Sequence, residues 1–292
     1  MATTLEAPAV VMRRPPFRRS ALKMADEACR TAIEHAGLAA GDIDLLINAG
    51  VYHDRNLGEP ALAALIQEDV GINPEDPHVG SHGTFSFDVA NGGCGVLTAL
   101  QVADGFLRSG TIEHALVVAG DTNPGHGMAP AFPFAAASAA IVCQWVDGPT
   151  GLAGFGWDSA PDESELFRAR VGFEGGRNLL HIEQDPDFGS RAAAWAGKTA
   201  NSLLADLDLR PAEIDLVVAN PMTPAFVEGL SAHLGIEIER FARAEGAERV
   251  HTAGLLVALA AAQEQGRLGE ARRILLVSAG AGIVTGAAVL VG

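Results

Sequence analysis

Hydrophobic and polar positions follow two periods along this chain. Short apolar runs recur at Ile43 to Ala49, Phe85 to Ala90, His114 to Ala119, Ala137 to Trp145, Ile214 to Asn220, Ile274 to Ser278 and Thr285 to Val291. Their length and apolar character predict strands, with Ile43 to Ala49 a buried one. Between them lie stretches with helical spacing: Ser20 to Gly37, Leu62 to Val70, Val96 to Gly110, Arg191 to Leu207, Pro224 to Leu234 and Gly254 to Gly266. In the first, Leu22, Ala25, Ala28, Cys29, Ala32 and Ile33 share one face. Helices alternating with apolar strands predict a layered α/β fold with mainly parallel sheet. Asp121 to Pro133 reads as a loop rich in Gly and Pro. Asp147 to Pro186, with weak periodicity, reads as loops with room for a hairpin. The stretch before Ser20, with Arg13, Arg14, Arg18 and Arg19 around Pro15 and Pro16, reads as an irregular leader or edge segment.

An internal repeat organises these elements. Asp42-Ile43-Asp44-Leu45-Leu46-Ile47 matches Glu213-Ile214-Asp215-Leu216-Val217-Val218, and each follows a long alanine-rich helix. Gly95-Val96-Leu97-Thr98-Ala99-Leu100 matches Gly254-Leu255-Leu256-Val257-Ala258-Leu259, and Leu116-Val117-Val118-Ala119 matches Leu275-Leu276-Val277-Ser278. Two halves follow, residues 1–150 and 151–292, with stacked sheets between helical layers about a pseudo-twofold axis. The repeat makes the loop before the Val96 helix equivalent to the loop before the Leu255 helix. If those helix N-termini meet across the axis, Cys94 and His251 share one site, with Asn220 at the C-terminal end of a strand, where α/β folds place ligand groups.

Candidate chemistry centres on Phe87-Asp88-Val89-Ala90-Asn91-Gly92-Gly93-Cys94-Gly95. This reads as strand, tight turn and helix start. A thiol at a helix N-terminus is favoured as thiolate and is a candidate nucleophile; the alternative is a small buried core residue. The three cysteines, Cys29, Cys94 and Cys143, are widely spaced and fit neither a disulfide framework nor metal-ligand spacing. With Cys29 and Cys143 expected to be buried and inert, they suggest a reducing, cytoplasmic setting and no metal. Twenty basic residues against 36 acidic give a formal net charge of −16, which argues against nucleic acid or an anionic membrane as the main partner. No apolar stretch reaches membrane-spanning length.

These motifs, in order from Leu22 to Gly292, resemble the thiolase superfamily, in particular the 3-oxoacyl-acyl-carrier-protein synthase III (ketoacyl synthase III) type. Phe87-Asp88-Val89-Ala90, Ala115-Leu116-Val117-Val118 and Gly280-Ala281-Gly282-Ile283-Val284-Thr285-Gly286 add to the resemblance. It implies a thiolase-like fold with a layered αβαβα core. It also implies an acyl thioester substrate on coenzyme A or a phosphopantetheine-bearing acyl carrier protein, no tightly bound cofactor, and a dimer. In the family a cysteine at the helix N-terminus takes the acyl group, and a histidine and an asparagine of the second half assist condensation. Here the matched positions hold Gly93, with Cys94 one residue later; Asn220, in Asn220-Pro221-Met222-Thr223; and His251, in Val250-His251-Thr252-Ala253. Imidazole and carboxamide have changed places.

The resemblance thus suggests an acyltransferase or condensing enzyme of specialised fatty-acid or polyketide-type biosynthesis. Cys94 would be the nucleophile, His251 the acid or base and Asn220 an orienting group, with the backbone N–H groups of Cys94 and Ala281 forming the oxyanion hole. A second reading is a catalytically silent thiolase-fold subunit that pairs with an active homologue, as a heterodimer rather than a homodimer. A third is a non-covalent enzyme that uses His251 alone. His82, His126, His181 and Ser138 are expected to be structural, and Phe132 and Phe134 to pack near an acyl pocket.

Overall fold

Two sheets carry the chain, and each buries both faces. The computed structural model describes residues 2–12, 20–56, 58–74, 83–125 and 127–292. The first sheet runs β1 (Ala2–Met12), β5 (Ala137–Val146), β4 (His114–Asp121), β2 (Leu45–Asn48) and β3 (Phe85–Asp88). The second runs β6 (Gly151–Ser159), β11 (Val284–Val291), β10 (Arg273–Gly280) and β9 (Leu216–Asn220). β2 pairs in parallel with β3 and β4, and β9 in parallel with β10, while β5 and β11 return antiparallel and β1 and β6 pair antiparallel with them. The sheets are therefore mixed rather than mainly parallel as the alternation predicts, because β5 follows β4 and β11 follows β10 without a crossover helix.

The period of two along each strand explains the layering. Leu45, Ile47, Ala115 and Val117 share an inner core with Leu216, Val218, Ile274 and Leu276 of the other sheet. That core is filled by α3 (Gly95–Arg108) and α6 (Gly254–Glu264). Leu46, Leu116 and Val118 face outward onto α1 (Ala21–His35) and α2 (Leu62–Val70). Val217, Leu275 and Val277 face outward onto α4 (Phe188–Asp206) and α5 (Pro224–Leu234). The result is five layers, helix, sheet, helix, sheet, helix. Each fully buried Leu, Ile or Val contributes roughly 1.5–3 kcal/mol, which is why α6, flanked by both sheets, is apolar on nearly all sides.

The repeat has a mechanical basis. Asp44 Oδ2 accepts the N–H groups of Glu113 and His114 at 2.8 and 3.0 Å, and Asp215 Oδ2 accepts those of Arg272 and Arg273, both at 2.9 Å. Each aspartate thus fixes the start of its own strand against the next strand. In the second half a single parallel bridge, Val217 to Phe241, stands where the first half has β3.

Two further expectations are sharpened. Of the two readings of the N-terminal segment, edge segment holds and irregular leader does not: residues 2–12 form β1, the edge strand of the first sheet, antiparallel to β5, with one register shift between Glu6 and Ala9. Strand-favouring Thr3, Thr4, Val10 and Val11 outweigh the polar and proline-rich character that follows. Arg13, Arg14, Pro15, Pro16, Arg18, Arg19, His82 and His126 lie outside the described residues. The weakly periodic stretch after Asp147 contains β6, the edge of the second sheet, and a separate hairpin of β7 (Phe167–Glu174) and β8 (Arg177–Gln184). Among the described residues no helix is long and apolar enough to cross a membrane.

Candidate active site

The loops before α3 and α6 meet where β4, β9 and β10 end, as the repeat predicts. β4 ends at Asp121, only 2% exposed. Every contact of its carboxylate is a donor. Oδ1 accepts the N–H groups of Val51 and Tyr52 at 3.1 and 2.7 Å. Oδ2 accepts Thr252 N at 2.9 Å and Thr252 Oγ1 at 2.6 Å, and lies 3.2 Å from His251 Nδ1. Burial works to raise the Asp121 carboxyl, but the hydrogen bond and charge of His251, with the Thr252 and Tyr52 donors, outweigh it and hold the carboxyl below its usual range. An ionised Asp121 accepts a hydrogen bond from Nδ1–H of His251, and in the neutral ring this makes Nε2 the acceptor. That nitrogen faces the glycine turn: a Cβ at Gly92 would stand 3.8 Å from it.

Aromatic rings fix the imidazole from the side. Phe134 stacks on His251 with centroids 4.2 Å apart, and Tyr52 lies 5.5 Å away. The Phe134 loop is pinned to the histidine loop by Arg249 Nε donating to Pro133 O at 2.7 Å and Ala135 N donating to Arg249 O at 2.8 Å. Tyr52 is pushed up by burial and by the Asp121 charge.

A cavity of about 170 Å³ opens beside His251, walled by Gly93, Phe134, Phe167, Phe188, Asn220 and the Ala279–Ala281 turn among others. The structure therefore brings His251, Asn220 and Ala281 together. Asn220 enters as a brace: its Nδ2 donates to Gly93 O at 2.9 Å and His251 O at 3.1 Å, tying the two loops across the halves. A Cβ at Gly254, the first residue of α6, would collide with its Oδ1, so α6 starts with glycine to admit the carboxamide.

Cys94 is placed differently from the expectation. Its side chain is fully buried, does not line the cavity, and donates from Sγ to Val284 O at 3.3 Å. Burial pushes its thiol up to about 12, with the Gly286 N–H a smaller opposing influence. The lowering expected at a helix N-terminus is overridden by desolvation. Its N–H is also committed, donating to Asn91 O at 2.9 Å within the turn, so it is not free for an oxyanion. Gly93 forms the cavity wall instead, and a Cβ there would run into the Ala279 carbonyl oxygen. Cys29 and Cys143 are fully buried, with thiols pushed up by desolvation, and Ser138 Oγ donates to Ala119 O in the core. His181 lies on the β7–β8 hairpin with Nε2 3.1 Å from Glu174.

Sequence reasoning missed Asp121, Thr252, Phe167 and Phe188. The available signal for Asp121 was a carboxylate closing an apolar strand at its C-terminal end.

Two family models match in order. The 3-oxoacyl-[acyl-carrier-protein] synthase III model covers residues 87–157, and its C-terminal counterpart covers 204–291. The chain belongs to this family. Beta-ketoacyl-[acyl-carrier-protein] synthase III of Neisseria meningitidis is 24% identical over 290 residues, covering 91% of this chain and 82% of the relative. The Rhizorhabdus wittichii enzyme of the same name is 26% identical over the same shares. Among solved structures, the Aquifex aeolicus 3-oxoacyl-[acyl-carrier-protein] synthase III superposes with a TM-score of 0.85 at 18% identity over the whole of both chains. A variant of Xanthomonas campestris OleA gives 0.82 at 19%, covering 100% of this chain and 99% of the other. The priming beta-ketosynthase of a polyketide pathway also gives 0.82, at 18%, covering 99% and 96%. The fold is thiolase-like, within a family of condensing transferases.

Proposed function

We propose that this chain is an acyl-transferring enzyme that acts directly on an acyl thioester, with the Asp121–His251 pair as acid and base and no acyl group held on Cys94. The observation that carries this is the Asp121-oriented His251 opening on a cavity whose facing wall is Gly93, while the Cys94 thiol is buried against Val284 O. In the reaction, His251 Nε2 takes the proton of the acceptor's nucleophilic atom as that atom bonds to the thioester carbon. The carbon–sulfur bond then breaks, and the leaving thiolate receives the proton. Asp121 holds the imidazole and offsets its transient charge. Ala281, on the turn lining the cavity, would offer its N–H to the oxyanion. Asn220 acts through the two loops it ties. The thioester is carried by coenzyme A or by the phosphopantetheine of an acyl carrier protein, in a specialised cytoplasmic pathway.

The test is a panel of acyl thioesters followed by both turnover and intact mass. Expected are turnover without an acyl adduct, retention of activity in Cys94→Ser, and its loss in His251→Ala. An adduct that disappears in Cys94→Ser, together with turnover, restores the covalent mechanism. The silent-subunit reading is favoured by one observation, the glycine at the cavity wall. It predicts no turnover by the purified chain and recovery of a homologous partner on co-purification.

A further inference from the structure

The cavity beside His251 has a shape as well as a size. Phe134 and Phe167 lie within 19° of parallel, and the His251 ring is 16° from the first and 3° from the second. Three rings of nearly one orientation thus gather along one side of the cavity, and aromatic surface of this kind packs well against another ring. Phe188 closes the apolar side. Opposite lies backbone, Gly93 against Ala279 to Ala281, packed so closely that a methyl group on Gly93 would strike a carbonyl oxygen. Backbone yields less readily than a side-chain end, so this wall does not open to lengthen the cavity. The volume of the cavity, which opens to solvent on one side, is about 170 Å³. A closed cavity of about 150 Å³ accepts one benzene ring, so a single ring matches the aromatic part of this cavity, whose rim also carries Gln184, Thr223, Glu248 and Arg249, whereas a chain of ten or more carbons exceeds it.

Resting on the acid–base reading of His251, we infer that the acyl group this cavity accepts is a single aromatic ring, of the benzoyl class, with its carbonyl carbon towards His251 Nε2. The ring packs against Phe167 and Phe188, and the thioester arm leaves by the open side.

The experiment reads binding rather than turnover. The probes are amide analogues of N-acetylcysteamine thioesters, with nitrogen in place of the thioester sulfur, carrying acetyl, benzoyl, hexanoyl or dodecanoyl groups. They are titrated calorimetrically into the wild-type protein. The benzoyl analogue is expected to bind about threefold tighter than hexanoyl, from ring packing, and about tenfold or more tighter than dodecanoyl, from exclusion. Phe188→Ala should relax the exclusion and raise dodecanoyl affinity. Phe188→Leu, a milder change, should reduce the benzoyl preference in a protein that still folds. Dodecanoyl binding as tight as benzoyl overturns the inference. So does acetyl binding as tight as benzoyl, because the arm rather than the acyl group would then fill the cavity. A protein without turnover that keeps the benzoyl-over-dodecanoyl order retains this inference and sinks the acid–base reading. His251-dependent turnover with no such order sinks this inference alone.

Discussion

His251 Nδ1 lies 3.2 Å from Asp121 Oδ2, joining the end of β4 in the first half to the loop before α6 in the second. The contact spans 130 residues and sits where the two halves of the repeat meet. Because Asp121 is surrounded only by donors, it has one workable state, the anion, and it imposes one orientation on the imidazole.

Asp121→Asn tests that orientation. An amide places an NH₂ group among donors, with no acceptor on that side. We expect kcat/KM to fall by about 10²-fold or more through kcat, since the tautomer is no longer imposed. Stability should fall by about 2–4 kcal/mol, as for other broken buried charge networks. The variant should also lose acid sensitivity. A carboxyl held below its usual range stabilises the fold above the unfolded value, and that stability disappears as pH falls through the folded value. Urea unfolding from pH 3 to 7 measures both effects, and an unchanged acid limb in the variant counts against the pair.

The thiols give an independent check. All three cysteines are fully buried with raised pKa. Native protein should therefore resist iodoacetamide at pH 8 while unfolded protein takes up one equivalent per thiol, read by mass. Cys94→Ser keeps a donor for Val284 O and should cost about 1 kcal/mol with activity retained.

Glycine substitutions separate crowding from propensity. At Gly93 a Cβ meets the Ala279 carbonyl, so Gly93→Ala should destabilise by about 1–3 kcal/mol and disturb the Asn220 brace. At Gly105, exposed on α3, nothing lies within 4 Å of a Cβ, so Gly105→Ala should stabilise by about 0.5–1 kcal/mol. Thermal melts of the two variants should move in opposite directions.

A second buried carboxyl sets a different pH dependence. Asp26 of α1 is 4% exposed, with Oδ1 lacking a partner, and its pKa rises from 3.8 to about 7. Burial is the main cause, the Asp69 charge and hydrogen bond add to it, and Arg30 and Lys23 oppose it. The folded state thus keeps a proton that the unfolded chain has already released. The stabilisation is full below about pH 4 and is lost as pH rises through about 7. Asp26→Asn should remove that slope and raise stability at pH 8 by about 1–2 kcal/mol. Chemical denaturation of both proteins between pH 5 and 8 checks the sign.

Much of this was legible in the chain. The unbroken apolar runs Leu45-Leu46-Ile47 and Leu216-Val217-Val218, set beside helical spacing in α3 and α6, specified doubly buried strands and hence layers. The Asp44 and Asp215 repeat specified two halves, because each aspartate performs the same local task on its own backbone. Even the approach of His251 to the glycine turn followed from the repeat. β1 was obscured by the arginines and prolines after it, and β6 by a run in which exposed and buried positions do not alternate cleanly.

What the sequence determined by itself was the set of elements, their pairing into halves and the residues gathered near one axis, since local periodicity and repetition are properties of neighbours along the chain. Only the tertiary structure decided which way those residues point. Cys94 and Gly93 are adjacent, yet one enters the core against Val284 and the other walls the cavity, because the turn sets their directions against β10 and β11. Asp121 gained its role for the same reason: its donors arrive from Tyr52, His251 and Thr252, and no local pattern brings those together.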